Sequence, residues 1–394
     1  MRELVSHSVG GGWGDDQPTE GSENVAVIRG ADFPHVTVGD VSSVPLRWES
    51  SRKIPQRALQ VGDIVLEGSG GTSDRPTGRT VYVSQRLLDQ FDVPVIPASF
   101  CRLVRIDPAK ADPHFVYWWL QGMYADGRTW AYQNRSTGIA NFQFQHFLDA
   151  EKVKLPGREE QRAIAATLGA LDDRIESNRQ AQVSGEQLLR AFVSKALDAS
   201  SGDEGELSDY CVLVKKPART INLTGAENYI GLEHMPRGSL FLGSWGTAED
   251  LGSNKSWFQT GDVLFGKLRP YFKKVGFAPV DGVCSTDILV LRANNAADSA
   301  LVAAVASSDE LIDAVSAAAT GTRMPRASWS DLAGWKVPIL TADERQHLAC
   351  KTEPLIARLV ALTHESLRLA SLRDALLPEL LSGHLSVPSE GITA

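Results

Sequence analysis

The sequence predicts an α+β protein built from two tandem mixed domains, each running into a long helix, with the two helices paired as an antiparallel coiled coil. Three observations predict it. First, the chain repeats itself in order. Gly62-Asp63-Ile64-Val65 returns as Gly261-Asp262-Val263-Leu264, and Thr137-Gly138 returns as Thr320-Gly321. Lys154-Leu155-Pro156 returns as Lys336-Val337-Pro338, and Glu159-Glu160-Gln161 as Asp343-Glu344-Arg345-Gln346. Second, short β-type runs punctuated by Gly, Pro and Ser fill the first part of each half. Third, a long run of helix formers follows each closing proline, with apolar residues at alternating spacings of four and three.

In order, residues 1–156 read as the first mixed domain, with strand-like runs such as Asp63-Ile64-Val65-Leu66 and Thr80-Val81-Tyr82-Val83. Residues 157–199 read as a spacer helix whose seam is Ile164, Leu168, Leu171, Ile175, Leu189 and Phe192, interrupted by Asn178 and Gln182, polar residues that fix register in such seams. Small, polar residues at 200–205 read as a linker. Residues 206–338 form the second mixed domain, with the run Asp287-Ile288-Leu289-Val290-Leu291. Residues 339–383 form the second spacer helix, with seam residues Leu348, Leu355, Leu359, Leu362, Leu369 and Leu376, and 384–394 a tail. The two seams coincide position for position at a displacement of 184, and pairing them antiparallel buries both. Pro354 threatens the start of the second helix with a kink or a delay.

Composition narrows the function. At 394 residues the chain is long enough for two to four domains of roughly 100–200 residues each. No uninterrupted apolar run reaches the ~20 residues of a membrane span, and the first residues have no apolar core of a secretory signal. The four cysteines, Cys101, Cys211, Cys284 and Cys350, are far apart, which speaks for a reducing cytoplasm and against a paired-cysteine metal site. The net charge of −8 excludes a uniformly basic coat but not local basic patches.

A catalytic constellation does not emerge. Gly261 to Lys267 fits the first part of a phosphate-binding loop, but Leu268 stands where Ser or Thr would hold magnesium, and Val263-Leu264-Phe265 belongs in a strand. What remains is polar and basic loops at equivalent places. The first half carries Ser69, Thr72, Ser73, Arg75 and Arg79 in one loop, and Gln133, Asn134 and Arg135 in another. The second half carries Lys267, Arg269, Tyr271, Lys273 and Lys274, followed by Arg323 and Arg326. Arginine and lysine reach phosphates and guanine edges, and Asn and Gln reach adenine, so these residues are the candidate DNA contacts.

These residues give the chain its resemblance to the specificity (S) subunits of type I restriction-modification systems. The resemblance rests on Gly62-Asp63-Ile64-Val65, the loop Arg75-Pro76-Thr77-Gly78-Arg79, Asn141-Phe142, and the helix start Glu160-Gln161-Arg162-Ala163-Ile164-Ala165. The second half adds Gly266-Lys267-Leu268-Arg269-Pro270-Tyr271 and Leu380-Leu381-Ser382-Gly383. The resemblance implies two target-recognition domains, each reading one half of a split DNA site in double-stranded DNA. It implies a non-catalytic, cytoplasmic subunit in phage defence. It implies as partners two modification subunits, which carry S-adenosylmethionine, and restriction subunits, which use ATP and magnesium, with no cofactor expected in this chain itself and no membrane. Because the loops of the halves differ, the expected site is asymmetric. The alternative is a duplicated protein-interaction scaffold with the coiled coil as a strut.

Overall fold

The computed structural model describes residues 1–135, 139–200, 202–249, 251–318 and 325–387; of residue 135 only the backbone is described. It separates into two compact units, Met1–Glu176 with Leu369–Ala394, and Ser177–Arg368. The repeated pairs Thr137-Gly138 and Thr320-Gly321 lie outside the described residues.

The first unit is organised around an antiparallel sheet. Its strands lie in the order Val5–Gly10, Cys101–Ile106, Ile64–Glu67 and Thr80–Tyr82. Ile64, Val65 and Leu66 form an unbroken apolar run because both faces of the strand are covered. Ile64 and Leu66 join the core formed with the helix Pro113–Ala125, while Val65 joins a second core under a three-stranded sheet. That second sheet has the order Leu46–Ser50, Ser22–Ile28 and Val95–Pro97, with its last two strands parallel. Asp112 caps the helix, accepting from the backbone N–H groups of His114 and Phe115 at 3.0 Å, and Pro113 opens it.

The second unit repeats this plan, strand for strand in its four-stranded sheet. Cys211–Leu213, Ile288–Ala293, Val263–Gly266 and Val275–Phe277 form the same four-stranded order. Val263 and Phe265 face one core, and Leu264 the other. The parallel pair recurs as Asn228–Ile230 with Gly282–Cys284, in a sheet extended here to five strands. The segment read as a linker is ordered at its end: Glu204–Glu206 pairs antiparallel with Lys336–Pro338.

The repeated Gly-Asp is explained by its contacts. Asp63 accepts two hydrogen bonds from Arg105 at 2.7 Å and one from the Gln60 backbone N–H at 2.7 Å. Asp262 does the same with Arg292, at 2.7 and 2.8 Å, and with Gln259 at 2.7 Å. Gly62 and Gly261 precede them at φ +91° and +88°, a left-handed backbone that favours glycine. The phosphate-loop-like stretch is therefore a turn and a core strand, with its aspartate committed to an ion pair.

The long helices run from Arg158 to Ala199 and from Ala342 to Ser382, about 63 and 62 Å at ~1.5 Å per residue. Pro354 neither delays nor ends the second, which starts 184 positions after the first. Their pairing is antiparallel. In the first unit Ile164 and Leu168 share a core with Leu377 and Leu380, and Asp172 pairs with Arg373. In the second unit Asn178 donates to Ser366 at 3.3 Å, and Gln182 donates to Thr363 at 2.7 Å and to the Leu359 carbonyl at 3.0 Å. Both polar interruptions of the seam are thus satisfied across it, and a slip of register would strand them. A Cβ on Gly185 would meet Leu359 at 2.6 Å, so this seam position takes glycine. Ile164, Leu168, Leu189, Leu348, Leu359 and Leu362 are buried, while Leu171, Ile175, Phe192, Leu355, Leu369 and Leu376 are half-buried.

The helix starts also correspond. Gln161, buried, donates to the Pro156 carbonyl at 2.8 Å and accepts from the Asp112 N–H at 2.9 Å. Arg345, 184 positions on, donates to the Leu340 carbonyl at 3.1 Å and to Asp298 at 2.9 Å. Arg345 therefore takes the place of Gln161 rather than interrupting the repeat.

Candidate nucleic-acid interface

In the first half, the two loops singled out in the sequence come together on one small sheet. Ser69–Gly71 and Gln133–Arg135 both pair antiparallel with Ala140–Phe142, which lies between them. Asn141 is opposite Ser69 on one side and Asn134 on the other, and its amide oxygen accepts from the Ser69 hydroxyl at 2.5 Å. Asn134 and Asn141 are exposed, and Phe100, 68% exposed, stands beside Ser69, whose N–H donates to its carbonyl at 3.1 Å. Thr72 and Ser73 lie exposed at the tip of the loop.

The arginines of that loop turn inward. Glu67, 1% exposed, accepts from Arg79 at 2.6 and 3.0 Å and from Arg75 at 3.3 Å. Arg79 also donates to the Gly30 carbonyl at 2.6 Å and retains 20% of its side-chain surface. Thr77, fully buried, donates to the Glu67 carbonyl, while its N–H donates to the Gln133 side-chain oxygen at 3.2 Å. Gly70, at φ +142°, leaves room for the Glu67 carboxylate, which a Cβ would approach at 2.7 Å. The motif Arg75-Pro76-Thr77-Gly78-Arg79 is thus an anchor that shapes the loop, and its positive charge is largely answered within the fold.

The second half repeats the pairing with different side chains. The segment after its central strand runs beside residues 325–327: Arg269 N–H donates to the Pro325 carbonyl at 3.0 Å, and Ala327 N–H to the Lys267 carbonyl at 2.9 Å. Arg326 is thereby brought opposite Leu268; it is 63% exposed, with Asp287 at 3.4 Å. Lys267 donates to the Thr286 carbonyl at 2.5 Å, and Lys273 pairs with Asp309 at 2.6 Å. Lys274 reaches the Leu232 carbonyl, and burial lowers its pKa, with the Arg237 charge lowering it further and Glu233 opposing. Tyr271 is 48% exposed and meets Phe272 edge to face. Arg323 lies outside the described residues, as does the side chain of Arg135.

Both halves therefore present, at the same place beside the central sheet, a short pair of segments with exposed polar groups. The first offers amides and hydroxyls, and the second offers cations and an aromatic ring. Two further polar residues stand at these places without belonging to the loop residues that the sequence points to, Asn141 and Arg237. Asn141 had a local signal, since it precedes Phe142 in a short extended run; Arg237 is an isolated cation with none. No thiolate chemistry is offered by the buried cysteines: burial pushes the thiols of Cys101, Cys211 and Cys284 up to about 12. Among the described residues no helix is long and apolar enough to cross a membrane.

The fold is that of a type I restriction-modification S subunit. The crystal structure of the S subunit from M. genitalium superposes with a TM-score of 0.55 at 15% sequence identity, over 96% of this chain and 94% of that one. In sequence, 105 residues are 30% identical to the type I restriction enzyme EcoDI specificity subunit of Escherichia coli, a match spanning 27% of this chain and 23% of that protein's length. The HsdS subunit from Thermoanaerobacter tengcongensis matches over 98% of this chain and 96% of its own, at 16% identity and a TM-score of 0.34. No protein-family profile matches the chain. The resemblance to type I S subunits read from the sequence thus recurs in fold over nearly the whole chain and in sequence over about a quarter of it.

Proposed function

We propose that the chain is the DNA sequence-specificity subunit of a type I restriction-modification complex. Each half reads one half of a split, asymmetric site in double-stranded DNA, and the helix pair acts as the spacer. The chain performs no catalysis: it positions two adenine-methyltransferase subunits, which bring S-adenosylmethionine, and restriction subunits bring the ATP- and magnesium-dependent chemistry, all in the cytoplasm. The observation that carries this reading is the repetition of one scaffold with unlike surface chemistry at the same place. Two modules of one fold with different contact residues read two different half-sites, whereas identical modules would read a repeat of one sequence. Linking them on one chain raises the affinity for a site whose halves match the span.

The test is a module exchange. Replacing residues 206–338 by those of another S subunit, and mapping methylated adenines in the host genome, is expected to change one half-site and leave the other intact. A methylome in which both half-sites change, or neither, overturns the reading.

A further inference from the structure

The segment 232–238 is folded against the turn 269–274 in the second half. Gly238 N–H donates to the Lys273 carbonyl at 3.0 Å, and the Lys274 ammonium is bound to the Leu232 carbonyl. Between them stands the ring of Phe272. The Arg237 guanidinium lies 3.8 Å from its centroid and that of Arg269 lies 6.0 Å from it. Among the described residues neither arginine forms an ion pair with a carboxylate, whereas Arg75, Arg79, Lys273 and Arg326 each do. Arg269 is held there at φ +52°, a left-handed backbone unusual for a side chain of its size. Two guanidinium groups thus approach one ring, and Lys274 stands close enough for the Arg237 charge to lower its pKa, with the exposed Glu233 opposing. Like charges at this range repel, and the repulsion is relieved when an anion sits among them. A guanidinium stacked on a ring keeps its N–H edge free, and that planar edge matches the oxygens of a phosphate.

We propose that Arg237, Arg269 and Lys274 form a backbone-phosphate site for duplex DNA, built around Phe272. The inference rests on the DNA-recognition reading and deepens it. It assigns Arg237 to the interface and gives this cluster a sequence-independent, register-fixing role, distinct from base reading by the segments around Arg326. A phosphodiester bridging the two arginines would be held by both edges, and the fixed Phe272 ring would keep them aimed before the DNA arrives.

The test measures the affinity of the full chain for two fluorescent duplexes of unrelated sequence across a range of potassium chloride concentrations, for the wild type and for Arg237→Ala and Arg237→Lys. Arg237→Ala is expected to weaken binding to both duplexes alike and to lower the slope of log affinity against log salt by about one unit. Arg237→Lys, which keeps the charge, is expected to retain the slope. An Arg237→Ala chain that melts earlier but keeps the wild-type slope overturns the site in favour of simple packing on Phe272. A loss confined to one duplex overturns it in favour of base reading. If the wild type binds neither duplex at any salt concentration, the DNA-recognition reading itself fails, and the site with it.

Discussion

The loops that follow the two central strands are built on the same scaffold and handle charge in opposite ways. In the first half the strand ends in Glu67, a buried carboxylate that gathers Arg75 and Arg79, so both loop cations are tied inward. In the second half the corresponding position is Gly266, and the cations there go to carbonyls, to an exposed acid, or to the Phe272 ring. Duplication has preserved the strand order and the Gly-Asp turn, while the position that ends the central strand holds a buried carboxylate in one half and a glycine in the other. An arginine count therefore misjudges both loops. It credits the first with cations it has already used.

The comparison breaks most visibly at Glu67. Glu67→Ala is expected to leave Arg79 partly buried beside an empty site and to cost about 3 kcal/mol, the lower end for a broken buried pair because both arginines keep some contact with water. Hydrogen exchange followed by mass spectrometry should place the loss in the first unit. A variant with unchanged protection there would show that the arginines are free to leave Glu67.

A second test asks where the halves are alike. Asp63→Ala and Asp262→Ala each remove a doubly bonded arginine partner and a turn acceptor, and each is expected to cost about 2 kcal/mol in its own unit. Losses that differ between the two by more than about 1 kcal/mol would mean that the shared Gly-Asp serves a purpose in one half that it lacks in the other.

The smallest effect distinguishes the units by pH. His114 is stacked on Tyr82 with ring centroids 4.3 Å apart, and a Cβ on Gly169 of the first long helix would meet it at 2.7 Å. Burial lowers its pKa below the usual 6.5, against the pull of Asp112 and Asp173. Between its folded and unfolded values the unfolded chain holds more protons, so stability is full above pH 6.5 and declines as pH falls towards the folded value. Asp172, whose carboxyl burial raises against the attraction of Arg373, contributes with the opposite sign. The His114 contribution is therefore isolated by comparison with His114→Phe, which is expected to flatten the acid-side loss of first-unit protection. Identical profiles for the two proteins would remove His114 from the account.

The parts of this molecule legible in the sequence are those written in local repetition. The helix bounds follow from the spacing of apolar residues and the closing prolines to within a few residues. The duplicated turn is visible because Gly and Asp are each needed for a reason that does not depend on neighbours far along the chain. Pairing across distance was not legible. Ser69 and Asn141 are far apart in sequence and meet only because Ala140–Phe142 forms the middle strand of their sheet. Glu67 reads as one more strand residue, and nothing local reveals that it faces two arginines. Arg237 and Phe272 likewise meet only through the fold. The place of Arg345 is the converse case: the repeat itself aligns it with Gln161, but only the shared bond to a carbonyl five residues back shows that the two side chains do one job.

The first unit is discontinuous, and this has a consequence for synthesis. Everything the second unit needs, from Ser177 to Arg368, lies in one uninterrupted stretch. The first unit, begun earlier, waits for Leu377 and Leu380 to cover the apolar face around Ile164 and Leu168. On a ribosome working from the N-terminus, the half that starts first is finished last. A stop or frameshift after Arg368 would therefore spare the parts of the C-terminal module and damage the N-terminal one, so the phenotype of such a lesion would appear at the far end of the gene from where it lies.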